Sequence, residues 1–116
     1  MENNNKITIT LGGIEYELIL TTGATQALAE RYGGLEKVGE AIAKKVTLSD
    51  LTWMITLLAN QGIRRHNLMN ASSPKPLLTE EQVELLTVPT ELTAMAEKLV
   101  QVLYRDTGRV IESRKN

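Results

Sequence analysis

Lys6-Ile7-Thr8-Ile9-Thr10-Leu11-Gly12-Gly13-Ile14-Glu15-Tyr16-Glu17-Leu18-Ile19-Leu20 is the stretch on which the fold turns. Polar and apolar side chains alternate before Gly12-Gly13 and again after it, the period of strands with one buried face. Glycine accepts the positive φ angles of a two-residue hairpin turn, which places the reversal at Gly12-Gly13. Such a loop sets Leu11 opposite Ile14, Ile9 opposite Tyr16 and Ile7 opposite Leu18, all apolar and all on one face. Thr10 then faces Glu15 and Thr8 faces Glu17 on the other side. A slip by one residue would scatter the apolar set, so turn and pattern specify the same register.

Downstream of this hairpin (6–20) the period changes to that of helices. Ala24, Ala27, Leu28 and Tyr32 fall at helical spacing, and Gly33 stands where a left-handed C-terminal cap belongs. Leu35, Val38 and Ile42 continue on a second short helix, which stops before the β-branched pair Val46-Thr47. Thr47-Leu48-Ser49-Asp50 has capping-box spacing: the Thr oxygen accepts an orphan amide while Asp reaches back. The helix it opens carries Leu51, Met54, Ile55 and Leu58 on one stripe, widened by Trp53 and Leu57. A stripe that wide predicts a helix through the middle of the domain. Its far end, residues 62–69, is more polar and is expected to fray.

Asn70-Ala71-Ser72-Ser73-Pro74-Lys75-Pro76 reads as a flexible linker (70–76), because two prolines and small polar residues oppose regular structure. Thr79-Glu80-Glu81-Gln82 is a second capping box, and opens a short helix with Val83, Leu85 and Leu86. Pro89 restarts the chain at a helix N-terminus, where its missing N–H costs nothing. Leu92, Met95, Ala96, Leu99, Val102 and Leu103 form the last stripe, which Gly108 ends. Residues 109–116 read as a polar, mobile tail. The expected architecture is α+β in a single domain (1–116): an N-terminal β-hairpin packed on a helical body (24–106) of about five helices.

Composition removes several functions. At 116 residues the chain can build one core without staples, and its net charge of -1 gives no general pull toward nucleic acid. There is no Cys, which excludes thiol nucleophiles and Cys-ligated zinc, and the single His66 cannot form a paired-imidazole site. No apolar run approaches the roughly 18 residues that span a bilayer. Met1-Glu2-Asn3-Asn4-Asn5 is polar, with no apolar stretch of signal type behind it. A soluble cytoplasmic protein is the expectation.

No catalytic constellation stands out. His66, in Arg64-Arg65-His66-Asn67, lacks an orienting partner and a nucleophile, and reads as part of a solvated polar face. Glu80, Glu81 and Glu84 lie in the first turns of a helix, where the macrodipole favours negative charge without any hydrolytic role. Gly33-Gly34-Leu35-Glu36-Lys37-Val38-Gly39 has the glycines of a phosphate loop, but follows a helix and lacks the Gly-Lys-Ser/Thr ending. Ala27-Leu28-Ala29-Glu30-Arg31-Tyr32-Gly33 resembles the start of a helix-turn-helix. The recognition helix would then offer Leu35, Glu36, Lys37, Val38 and Glu40, a poor set for phosphates or base edges. A small DNA-binding regulator is the alternative reading. The chain is expected to be no enzyme and to need no cofactor or metal.

The whole arrangement resembles a phage family. Leu11-Gly12-Gly13-Ile14-Glu15-Tyr16-Glu17-Leu18, Leu20-Thr21-Thr22-Gly23-Ala24-Thr25 and Glu30-Arg31-Tyr32-Gly33-Gly34-Leu35-Glu36 carry the likeness. Leu57-Leu58-Ala59-Asn60-Gln61-Gly62 and Leu78-Thr79-Glu80-Glu81-Gln82-Val83-Glu84-Leu85-Leu86 extend it. Together these segments are similar to the tail assembly chaperones of long-tailed phages and prophages of Gram-positive bacteria, over residues 7–103. The resemblance implies a protein that holds the helical tape measure protein in the host cytoplasm during tail assembly and is absent from the finished virion. It implies no binding residues, because the family has no short functional signature.

The residues themselves add two expectations. A lone hairpin leaves two strand edges open, and another copy or a partner can add to them, which predicts a homo-oligomer. Leu78 precedes a helix cap and reads as a hydrophobic staple onto its own helix. For Leu77 two readings stand, packing within the chain or a contact for a partner helix, and it is the candidate partner-binding residue.

Overall fold

In the computed structural model, which describes residues 6–108, the alternating segments form two antiparallel strands, β1 (Thr8–Leu11) and β2 (Ile14–Glu17). The pairs are Thr8 with Glu17, Ile9 with Tyr16, Thr10 with Glu15 and Leu11 with Ile14, the register that the pattern predicts. Gly12 and Gly13 have φ of 57° and 81°, the two positive values that a type I′ turn requires. Ile9, Leu11 and Leu18 are buried, and Ile7 and Tyr16 pack partly against the same core. Ile14 differs: it shares their face but is 57% exposed at the turn end. Two residues before it, Gly12 lies against Leu86, whose Cδ2 would be 3.2 Å from a Cβ at position 12.

Five helices follow among the described residues: α1 (Thr22–Tyr32), α2 (Leu35–Lys45), α3 (Leu48–Met69), α4 (Glu80–Leu85) and α5 (Pro89–Thr107). The fold is therefore α+β with a helical body. The Thr21 hydroxyl caps α1 by accepting from the Ala24 N–H, and left-handed Gly33 closes it on the Ala29 carbonyl. Thr79 and Gln82 form both halves of the capping box on α4, and Glu91 reaches back to the Val88 N–H at the start of α5. At α3 only half of the expected box is made. The Thr47 hydroxyl accepts from the Asp50 N–H, but the Asp50 carboxylate turns to Arg31 of α1 at 2.9 Å. There it holds a guanidinium stacked 4.2 Å above the Trp53 ring, so the side chain joins two helices instead of closing one.

The central helix is α3, as its wide stripe predicts: it packs on β2, α1, α4 and α5. Leu51, Met54, Ile55, Leu58, Ala59 and Ile63 are buried in one cluster with Leu28 of α1, Val38 of α2, Val83 of α4 and Leu99, Val102 and Leu103 of α5. Each fully buried Leu, Ile or Val of this set contributes about 1.5–3 kcal/mol by leaving water. The expectation of a frayed end is corrected, since α3 stays helical to Met69. Asn67 fastens the next segment by holding both backbone groups of Lys75, and Asn70, the C-cap, closes the helix by donating to the His66 carbonyl at 2.9 Å. No described helix is long and apolar enough to cross a membrane. The expected tail at 109–116 lies outside the described residues.

Candidate interaction surface

The hairpin edges can be followed group by group. The Leu18 N–H donates to the Ile7 carbonyl at 2.9 Å, which fixes the phase of the ladder. Ile7, Ile9 and Leu11 exchange hydrogen bonds with Leu18, Tyr16 and Ile14, while Thr8, Thr10, Glu15 and Glu17 turn their backbone groups outward. On the β1 side the Thr8 carbonyl accepts from Nζ of Lys98 of α5, while the outward N–H and C=O of Thr10 have no partner among the described residues. On the β2 side α3 covers the lower end. The Glu17 carbonyl faces Gly62, and the Ile19 N–H donates to the Leu58 carbonyl at 3.3 Å. The outward N–H and C=O of Glu15 have no partner among the described residues.

Beside Glu15 lies a cleft of about 480 Å³. Ile14, Tyr16, Ile63 and Pro76 supply its apolar surface, and Glu15, Glu17, Lys6, Lys75 and His66 its polar surface. One wall is the segment before α4, which runs extended along α3. Asn67 accepts from the Lys75 N–H at 2.8 Å and donates to its carbonyl at 2.9 Å. Seven residues earlier on α3, Asn60 does the same for Leu78, at 2.8 and 2.9 Å. A side-chain amide used in this way replaces a neighbouring strand, so the backbone groups of Lys75 and Leu78 are satisfied without a sheet.

The far end of β2 is held by α5. Asp106 accepts the Leu20 N–H at 2.9 Å and pairs with Arg105 at 2.7 Å, while Arg105 also donates to the Leu18 carbonyl. Burial pushes the Asp106 carboxyl up. The hydrogen bonds from Arg105 and Leu20, with the charges of Arg105 and Arg65, outweigh it and hold the group below the ordinary carboxylate value. The Arg105 guanidinium is raised by its hydrogen bond to Asp106 against the opposing effect of burial.

The residues singled out in the sequence fall into different places. Leu78 is buried with Val83, the geometry of the staple, whereas Leu77 is 42% exposed and follows Pro76 without lining the cleft itself. His66 lines the cleft with Nε2 3.3 Å from the Ser73 carbonyl. Glu80, Glu81 and Glu84 are exposed on α4. Among the described residues no three His, Asp or Glu side chains converge on a point that could hold a metal ion. The α1–α2 pair has helix-turn-helix order, and α2 exposes Glu36, Lys37 and Glu40. Sequence reasoning missed Asn60, Asn67 and Gly62. The only sign of them was a glycine and two amides interrupting an otherwise strong helical segment.

Comparison with family models, curated proteins and solved structures finds no match for this chain.

Proposed function

We propose that the protein is a non-enzymatic tail assembly chaperone that binds the phage tape measure protein and self-associates during tail morphogenesis. It acts in the bacterial cytoplasm and leaves before the virion is complete. One observation supports this reading beside the family resemblance: an unpaired strand edge at Glu15 borders a cleft with apolar walls. Open strand edges take up extended segments of other chains through backbone hydrogen bonds, and the neighbouring apolar surface selects which segment stays. The carboxylates exposed on α2 favour a protein partner over DNA, because Glu36 and Glu40 repel phosphate where a recognition helix would meet it.

Co-expression with the tape measure protein tests the proposal. The chaperone reading expects the tape measure protein to move from the insoluble to the soluble fraction and to copurify with this chain. A tape measure protein that stays insoluble, together with duplex DNA binding that weakens steeply as salt rises, would transfer the case to the DNA-binding regulator.

A further inference from the structure

Charge is segregated along this chain. Residues 51–79 carry Arg64, Arg65 and Lys75 and no carboxylate, whereas residues 80–97 carry Glu80, Glu81, Glu84, Glu91 and Glu97 and no Lys or Arg. The fold sets each kind of charge beside exposed apolar side chains, one group toward each end of α3.

Where α3 begins, a shallow cleft of about 260 Å³ opens between α3, α4 and α5. Buried Thr52 and Leu92 form its floor, exposed Leu48 and Val88 stand at its rim, and Glu84 is the one charged residue in its lining. Where α3 ends, Leu68 and Met69 are 84% and 75% exposed. The course of α1 explains why. It runs antiparallel to α3, from Thr21, whose hydroxyl donates to Gln61 at 2.6 Å, to Arg31, which pairs with Asp50. The last two turns of α3 therefore continue past the start of α1. Arg64 lies one turn before Leu68 on the same helix face, exposed and with no ion pair among the described residues. Arg65 instead shares a polar hollow with Asp106.

Two adjacent large apolar side chains left in water beside a free cation have the chemistry of a contact surface, and the cleft at the other end has the complement. Leu68 and Met69 match Leu48 and Val88, and the Arg64 guanidinium matches the Glu84 carboxylate. Within one molecule the two surfaces cannot meet. Leu48 and Leu68 are twenty residues apart on a single helix, which holds them about 30 Å apart.

We infer that the Arg64, Leu68 and Met69 end of α3 in one copy seats in the cleft of Leu48, Val88 and Glu84 on a second copy. The two surfaces differ, so every added copy presents a fresh one, and the contact propagates head to tail instead of stopping at a dimer. It uses neither strand edge. The inference rests on the self-association part of the proposed function. A chain that stays monomeric yet keeps the tape measure protein soluble would overturn this inference alone; one that associates through these residues yet leaves the tape measure protein insoluble would overturn only the chaperone reading.

Sedimentation velocity on the full chain, up to about 0.5 mM because so small a contact is weak, tests it with two variants. Leu68→Asp puts a charge on the projecting end, and Val88→Asp puts one on the rim of the cleft while supplying α5 with a favourable N-cap residue. The wild type is expected to grow in mass with concentration, and each variant to associate roughly tenfold more weakly or less still. An equimolar mixture of the two should double in mass and stop there, because it holds one intact end and one intact cleft. A monomeric wild type, variants that associate as the wild type does, or a mixture that stays monomeric would each overturn the inference. If circular dichroism shows either variant unfolded, a charge exchange decides instead: Arg64→Glu and Glu84→Lys should each weaken association and, combined in one chain, restore it, and no recovery would count against the interface.

Discussion

Gly62 of α3 lies with its α-carbon against the carbonyl oxygen of Glu17 at the end of β2. A Cβ at position 62 would overlap that oxygen, so the helix and the strand approach this closely only because the residue is glycine. The contact fixes how far the hairpin sinks onto the helical body. It also leaves the upper half of the β2 edge standing away from α3 as one side of the cleft.

Gly62→Ala is accordingly expected to destabilise the fold by about 1–3 kcal/mol, the cost of forcing an extra methyl into a packed contact, despite the better helix propensity of Ala. Gly23 is the control. A Cβ there meets nothing closer than the Thr21 hydroxyl at 4.0 Å, and Gly23→Ala should stabilise α1 by up to about 1 kcal/mol. Urea unfolding of both variants measures the contrast.

Asn60 and Asn67 make the same pair of hydrogen bonds in different surroundings. Asn60→Ala strands the partly buried N–H and C=O of Leu78 and should cost about 2–3 kcal/mol. Asn67→Ala frees the exposed groups of Lys75 to water and should cost less than about 1 kcal/mol. Asn60→Asp should be no better than Asn60→Ala, because a carboxylate oxygen would face the Leu78 carbonyl. Thermal melts of the three variants rank these effects.

Asp106 gives stability a definite pH dependence. Its folded-state carboxyl lies below the ordinary value, so its contribution is complete above the unfolded value near pH ~3.9 and is lost as pH falls through the lower folded one. Asp106→Asn should lower stability at neutral pH and flatten the decline below about pH 4, since the group that protonates is gone. Urea midpoints between pH 2 and 7 for the two proteins would show parallel curves if Asp106 played no such part.

Leu77 and Leu78 should separate under the same substitution. Leu78→Ser empties a buried site beside Val83 and is expected to cost about 2–4 kcal/mol. Leu77→Ser changes a side chain that is 42% exposed, so it should leave the melting temperature within a degree or two while lowering capture of the tape measure protein. Unchanged capture would remove Leu77 from the partner surface, and a fall in both quantities would return it to the core.

The hairpin register, the caps at Thr47 and Thr79 and the inward stripes of α3 and α5 were legible in the sequence. Each depends on residues a few positions apart, where strand and helix periods and the glycine requirement of the turn leave little choice. Tertiary structure alone decided which backbone groups of the strand edges are covered, where the prolyl segment is tied and why Asp50 abandons its own cap. Those outcomes rest on Lys98 meeting Thr8, Gly62 meeting Glu17, Asn60 meeting Leu78 and Arg31 meeting Asp50. The partners lie between 18 and 90 residues apart, and no local period connects positions that only the packing of whole helices brings together.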